Sequence, residues 1–306
     1  MIYVIYRQLS DEAPAKEQAE WFLSSIAEAS SDNDFAVVEY SNTDRVLNNI
    51  ANGDVVYFRN IGSQLKRVKL IVAAANRVGA IVIDPYLQWQ HDNGLVTGPR
   101  NKWDMYNEMI AERISTPRTE KITLGDFING EHTGIIKTVV GGRQGNGTYV
   151  YLSSDSERKN AIIEDIMSKP REGKDGVLVQ EYIPNRGDIR VVTVGGRSVG
   201  AFKRKPKDIN NLKMDSSTGR SKGLRNPRSD VLRLAADASY KIGIHVASMD
   251  IVRDRRTGRL YIVDLNESPT LRIMHVRTGC DVPQVIMDYL NEVHRTKQVR
   301  SNIWET

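Results

Sequence analysis

Cysteine is almost absent, with Cys280 the single thiol in a chain of 306 residues. One thiol excludes an internal disulfide framework and a thiolate zinc site, and five scattered histidines do not replace it. Such a chain suits a reducing compartment, so the cytoplasm is the expected location. Long apolar runs are missing too. The opening MIYVIY is far too short for a membrane span or a signal sequence, and no membrane association is expected. No glycine fingerprint follows that first apolar run, which argues against a dinucleotide site there. Aromatics are sparse, and Trp21, Trp89, Trp103 and Trp304 lie far apart, as packing residues do, rather than clustered for base stacking. No internal repeat is visible.

What is present describes a soluble globular chain, 40% hydrophobic with mean hydropathy −0.43. Its length exceeds one ordinary core, so two or three domains are expected. A net charge of +5 and an isoelectric point near 9.1 favour an anionic partner: nucleotide phosphates, an acidic peptide or nucleic acid.

Residues 1–6, 54–58 (DVVYF) and 80–84 (AIVID) read as strands, the last closed by Pro85. Residues 12–29 and 63–78 have helical spacing, the first with Trp21, Phe22 and Ile26 on one face. This alternation predicts a small parallel α/β domain. A helix over 100–114, ended by Ser115-Thr116-Pro117, forms a junction. A strand over 133–139 carries Lys137 into a turn containing Gly141, Gly142, Gln144, Gly145 and Gly147, and a strand over 148–152 returns. The turn lacks the Gly-Lys-Ser/Thr of a P-loop. Its glycines can still present backbone N–H groups to an anion, with Lys137 aimed at the same phosphates; otherwise it is a long hairpin turn beside a surface lysine. Residues 176–183 (GVLVQEYI) form a strand that stops at Pro184, and a hairpin over 191–194 and 198–202 turns at Gly195-Gly196. The basic stretch 203–228 is either a loop over an anion or an exposed segment, and it lacks the interleaved aromatics of a nucleic-acid surface. Helices over 231–243 and 282–294 follow.

The segment 248–271, SMDIVRDRRTGRLYIVDLNESPTL, reads as strands over 249–252 and 260–265 joined by a charged turn at Thr257-Gly258. If this hairpin is symmetric about Thr257, Asp250 lies opposite Asp264. Opposed side chains sit only ~5 Å apart, where like charges destabilise. Asn266 projects from the same face. A hard cation such as magnesium would relieve the repulsion with oxygen ligands; the alternative is a solvated hairpin whose acids fall in register.

Taken together, these motifs resemble the ATP-grasp superfamily and, within it, the RimK-like carboxylate–amine ligases. The resemblance covers residues 100–282 and rests on five elements in the family's order: RNKWDMYNEM, IIKTVVGGRQGNG, VLVQEYI, DIR, and the paired strands MDIV and IVDLNESP. It implies an α/β (α+β) chain, an ATP-grasp fold with an N-terminal Rossmann-like pre-ATP-grasp domain. The expected units are 1–97, a lid subdomain over 98–182 with the glycine-rich loop, and a C-terminal subdomain over 183–306 with the magnesium site. It further implies that Lys102 and Lys137 contact the nucleotide phosphates beneath the lid loop of Gly141, Gly142, Gln144, Gly145 and Gly147. Gln180, Glu181, Tyr182 and Ile183 match the adenine-reading hinge, Asp188 the ribose-binding acid, and Asn211 a phosphate-side loop position. Asp250, Asp264 and Asn266 match the magnesium ligands. The implied cofactors are ATP and one or two Mg²⁺ ions, with Mn²⁺ as a substitute. Two departures stand out: Asp264 replaces the usual glutamate, and the loop after Lys205 lacks the His-Arg-Gly-Gly of close relatives, so the substrate is not part of what carries over.

The implied reaction activates a carboxylate as an acyl phosphate, which an amine attacks to form an amide. Lys137, Arg190 and Arg272 are the candidate catalytic residues, although Arg272 could instead pair with a surface acid. His275 and Cys280 read as structural. Expected partners are a carboxylate and an amine substrate, with an acidic peptide or protein tail as one form of the acceptor. A homo-oligomer is compatible with the sequence. The rival readings are an ATP-grasp kinase acting on a small alcohol and a non-catalytic nucleotide or nucleic-acid binder.

Overall fold

The computed structural model describes residues 1–7, 13–30, 34–59, 65–83, 101–123, 134–139, 148–151, 155–170, 173, 175–205, 221–266 and 268–297. The chain begins as a parallel α/β layer. Strands β1 (Ile2–Tyr6), β2 (Phe35–Glu39), β3 (Val55–Arg59) and β4 (Ile81–Ile83) form a sheet in the order β2-β1-β3-β4, every pair parallel. Parallel sheets are covered on both faces, so their strands are near-continuous apolar runs. In β1 (IYVIY) all five residues are buried. Ile2, Val4 and Tyr6 enter one core with Phe22 and Ile26 of helix α1 (Ala13–Ala29), while Tyr3 and Ile5 enter another. That second core holds Val46 of α2 (Asp44–Asn49) and Val68, Ile71 and Val72 of α3 (Leu65–Val78).

Helix α4 (Lys102–Ala111) leads to two antiparallel sheets. One contains β5 (Thr119–Ile122), β6 (Gly134–Thr138), β7 (Thr148–Tyr151) and β8 (Val177–Glu181) in the order β5-β8-β6-β7, with α5 (Ser156–Met167) packed through Ile163 and Ile166. The other contains β9 (Ile189–Val194), β10 (Arg197–Arg204), β11 (Ser221–Gly223), β12 (Val246–Arg253) and β13 (Leu260–Asn266) in the order β11-β10-β9-β12-β13. The β9–β10 turn is Gly195-Gly196, with φ of +55° and +74°. Both signs are positive, as the favoured hairpin turn requires, and a Cβ on Gly195 would stand 2.6 Å from the Tyr289 ring.

One face of this five-stranded sheet packs on α6 (Ser229–Ile242): Val231, Ala235 and Ala238 meet Val191, Ala247, Met249 and Ile251, joined by Met105 and Met109 of α4. Helix α6 ends on Gly243, whose φ of +71° suits a left-handed cap. The opposite face meets α7 (Arg272–Thr278) and α8 (Val282–Thr296). Helix α8 also packs on α1, β1 and β3, so it joins the parallel sheet to the five-stranded one. The N-terminal ammonium donates to Asp54 at 2.9 Å and lies 3.0 Å from His294, and Lys297 Nζ donates to the carbonyl of Gly53 at 2.6 Å. Among the described residues no helix is long and apolar enough to cross a membrane.

Candidate active site

The acid pair rests on an irregularity that the sequence does not announce. From the turn, Arg253 pairs with Leu260, Val252 with Tyr261 and Ile251 with Ile262. A regular ladder would next set Asp250 against Val263 and point Asp264 into the apolar core. Instead the register slips by one residue, leaving Val263 unpaired, and Asp250 stands opposite Asp264 and Ser248 opposite Asn266. Ile262 and Leu265, three residues apart, both enter the α6 core, which a regular strand with its period of two cannot achieve. The hairpin is therefore symmetric about Thr257 only beyond the bulge.

Asp250 is buried and held from two strands of its sheet, the adjacent β9 and β10 beyond it. Arg190, its register partner on β9, donates through Nε and Nη2 at 2.7 and 2.8 Å, and Arg204 on β10 approaches through Nη2 at 2.6 Å. Arg204 also donates through Nε to Asp188 at 2.8 Å, and its backbone N–H to the Asp188 carbonyl at 2.9 Å. Burial alone would raise the pKa of Asp250, but the Arg190 and Arg204 guanidinium groups outweigh it and hold the carboxyl well below its usual range. Burial opposes the charge on Arg204 as well, yet Asp250 and Asp188 together raise its pKa.

Lys137, buried on β6, reaches the same place from the other antiparallel sheet. Its Nζ donates to Gln180 Oε1 at 2.8 Å and to the carbonyl of Val263 at 2.7 Å, the residue that the bulge removes from the ladder. Gln180 in turn donates to Thr119 Oγ1 at 2.9 Å. Burial lowers the Lys137 pKa to about 8; Lys102 adds to the fall, while Asp264 and Asp250 oppose it. Lys102 opens α4, its N–H bonded to the carbonyl of Val139 just past β6. Lys102, Tyr106, Lys137, Leu178, Gln180 and Asp264 line one cavity between the two antiparallel sheets.

The donor set fits a hard divalent cation. Asp250 and Asp264 face one side with Asn266, whose amide nitrogen lies 3.3 Å from Asp264 Oδ2. Ser248, two residues before Asp250 on the same face, has a buried hydroxyl without a hydrogen-bond partner among the described residues. A carboxylate has about four lone-pair directions, and the arginines take three on Asp250, leaving one for an ion.

The structure thus brings Lys102, Lys137, Gln180, Asp264, Asp250, Asn266 and Arg190 into one region. Asp188 lies at its edge, with both carboxylate oxygens on Arg204. In the hinge segment the Glu181 N–H donates to the Arg118 carbonyl, the Ile183 carbonyl accepts from Asn185, and Tyr182 is half-buried. Arg272 opens α7 and pairs with Glu17 at 3.0 Å, both side chains exposed. Gly141, Gly142, Gln144, Gly145, Gly147 and Asn211 lie outside the described residues. Sequence reading overlooked Arg204 and Ser248. Each shares a face with a residue two positions away, Arg204 with Phe202 and Ser248 with Asp250, so strand alternation was the available signal.

Comparison with known proteins identifies the family and the fold. The RimK-like ATP-grasp domain family matches over residues 100–290. A probable alpha-L-glutamate ligase of Marinomonas sp. (strain MWYL1) is 30% identical over 204 residues, 64% of this chain and 65% of the relative. A namesake from Aliivibrio fischeri (strain MJ11) is 28% identical over 169 residues, 55% of this chain and 53% of the relative. The match therefore spans roughly half to two thirds of these relatives' length. Among solved structures, the ATP-grasp ligase PsnB complexed with minimal precursor, Mg and ADP superposes with TM-score 0.63 at 14% identity, covering 96% of this chain and 98% of that one. D-alanine–D-alanine ligase from Bacillus anthracis, complexed with ATP, superposes with TM-score 0.61 at 12% identity, covering 97% and 99%. These two likenesses show the fold. With its defining domain matched over 100–290 and the ATP-grasp architecture across nearly its whole length, the chain belongs to the RimK-like ATP-grasp family.

Proposed function

We propose that this chain is an ATP-dependent carboxylate–amine ligase that forms an amide through an acyl phosphate. The observation that carries the proposal is the bulge at Val263: it sets two carboxylates on one face and presents a carbonyl to the buried Lys137 at a cavity between two sheets. In this reading Lys102 and Lys137 bind the nucleotide phosphates under the 141–147 loop, with Asn211 near the same phosphates. The hinge 180–183 reads the adenine, Ile183 through its N–H because its carbonyl is taken. Asp188, whose match is to a ribose ligand, also fixes Arg204.

Asp250, Asp264 and Asn266 would hold magnesium, with Mn²⁺ accepted by the same oxygens. When bound, that ion supplies positive charge to the phosphate oxygens. Two carboxylates are enough for one or two ions, although Asp264 is a methylene shorter than the family's glutamate.

The chain's own task is to bring two anions together. A substrate carboxylate oxygen attacks the γ-phosphorus and ADP departs; an amine then attacks the acyl carbon, phosphate leaves, and the amine proton passes to solvent. Arg190 and Arg204, fixed by their aspartates, place positive charge where the carboxylate and the tetrahedral oxyanion develop. Closure over the acyl phosphate would keep water from hydrolysing it. Arg272, paired with Glu17, would have to exchange that partner to join them.

The relatives' names make L-glutamate the first substrate to supply, with acidic peptides as acceptors. ADP release should require an acid and an amine together, and mass spectrometry should find the amide. Asp250→Asn should lower that release at least ~10²-fold. ADP release with an alcohol and no amine would instead indicate a kinase.

A further inference from the structure

Arg59 is the last residue of β3, and its register partner is Tyr6, the last residue of β1. In the order β2-β1-β3-β4 the chain leaves β1 and β3 in opposite directions. The crevice beyond their carboxyl ends is the switch point at which open α/β sheets take ligands. Arg59 is nevertheless only 5% exposed. Its guanidinium lies 4.6 Å above the Phe22 ring and donates through Nη2 to the carbonyl of Pro269 at 2.7 Å. Its Nε is buried without a hydrogen-bond partner, and no carboxylate pairs with it among the described residues.

The three candidate catalytic arginines each have an acid: Arg190 and Arg204 have Asp250, and Arg272 has Glu17. A buried arginine is almost always paired, because withdrawing its charge from water without an anion is unfavourable. A ring face and one carbonyl do not neutralise it. Pro269 ties the position to the catalytic region, since it lies three residues beyond Asn266, a span of chain of at most about 10 Å.

We propose that Arg59 is a specificity residue that binds a carboxylate of the substrate other than the one being joined, so that the preferred amino-acid substrate carries an additional free carboxylate. This rests on the ligase reading above. The competing role for Arg59 is a strut that pins the segment after β13 to the first sheet.

Calorimetric titration of the full chain with L-glutamate and with L-glutamine decides between them, because the two probes differ by one carboxylate. The wild type should bind L-glutamate at least tenfold more tightly. Arg59→Met should remove that preference, and Arg59→Lys should restore part of it, with thermal melting confirming that both variants fold. Equal affinity of the wild type for the two probes, or no measurable binding of either, overturns the proposal whether or not the variants fold. A preference that survives Arg59→Met overturns it as well and leaves the strut. The titration needs no turnover, so a preference that depends on Arg59 in a protein releasing no ADP would refute the ligase reading alone.

Discussion

The parallel sheet and the five-stranded antiparallel sheet are built from similar apolar residues, yet they admit charge in different places. In the first, β1 sends alternate residues into two cores and β3 is buried throughout, so among the described residues buried charge appears at the rim, at Asp54 and Arg59. In the second, one face is apolar against α6, while the other changes along its length. It is apolar where Val192, Val194 and Phe202 meet the core shared with α8 and becomes ionic at Arg190, Arg204 and Asp250. A sheet covered by apolar packing on both faces leaves chemistry only its strand ends; a sheet with one stretch free of that packing can hold a whole buried ionic constellation.

The sharpest way to break this contrast is Arg204→Met. It strands Asp188 and Asp250 in a buried region with one cation fewer, and should destabilise the fold by about 3–5 kcal/mol in denaturant titration. A loss below 1 kcal/mol would mean that the ionic face is solvated rather than buried.

A smaller effect sharpens the role of Lys137. Burial places its pKa near 8, so from there to the ordinary 10.5 the folded chain binds fewer protons than the unfolded one. Stability from this group therefore rises with pH across that window, while the cation proposed to bind phosphate is lost. ATP affinity should fall about tenfold between pH 7 and pH 9 in the wild type, and stay flat in Lys137→Arg, which keeps its charge. Calorimetry across that pH range checks both.

The smallest change belongs to the parallel sheet. Ile5→Val should cost about 0.5–1.5 kcal/mol with ADP release unaltered, because that core carries no chemistry.

Legibility in the sequence followed the same division. The apolar run of β1 and the amphipathic pattern of α6 declare themselves, as does the Gly195-Gly196 turn. Strand β2, mostly half-buried where β1 and β3 are fully buried, does not stand out as a run, and β5 (TEKI) is defined by its partner β8 rather than by its own composition. Asp250 and Asp264 were expected to face each other, but from a symmetry that the real turn lacks. The bulge that produces the pairing lets Ile262 and Leu265 both enter the same core, which is a tertiary effect. Arg204 was hidden among the lysines and arginines of 203–228, and only its place on β10 separates it from them. Arg272 found Glu17, a partner 255 residues away that no local pattern predicts.

Calorimetric titration of ATP with and without magnesium reads whether Asp250 and Asp264 jointly receive a divalent ion together with the nucleotide. In the wild type magnesium should tighten ATP binding at least about tenfold, equivalent to about 1.4 kcal/mol, and Asp264→Asn should abolish that gain. An equal magnesium effect in Asp264→Asn and wild type would contradict the account.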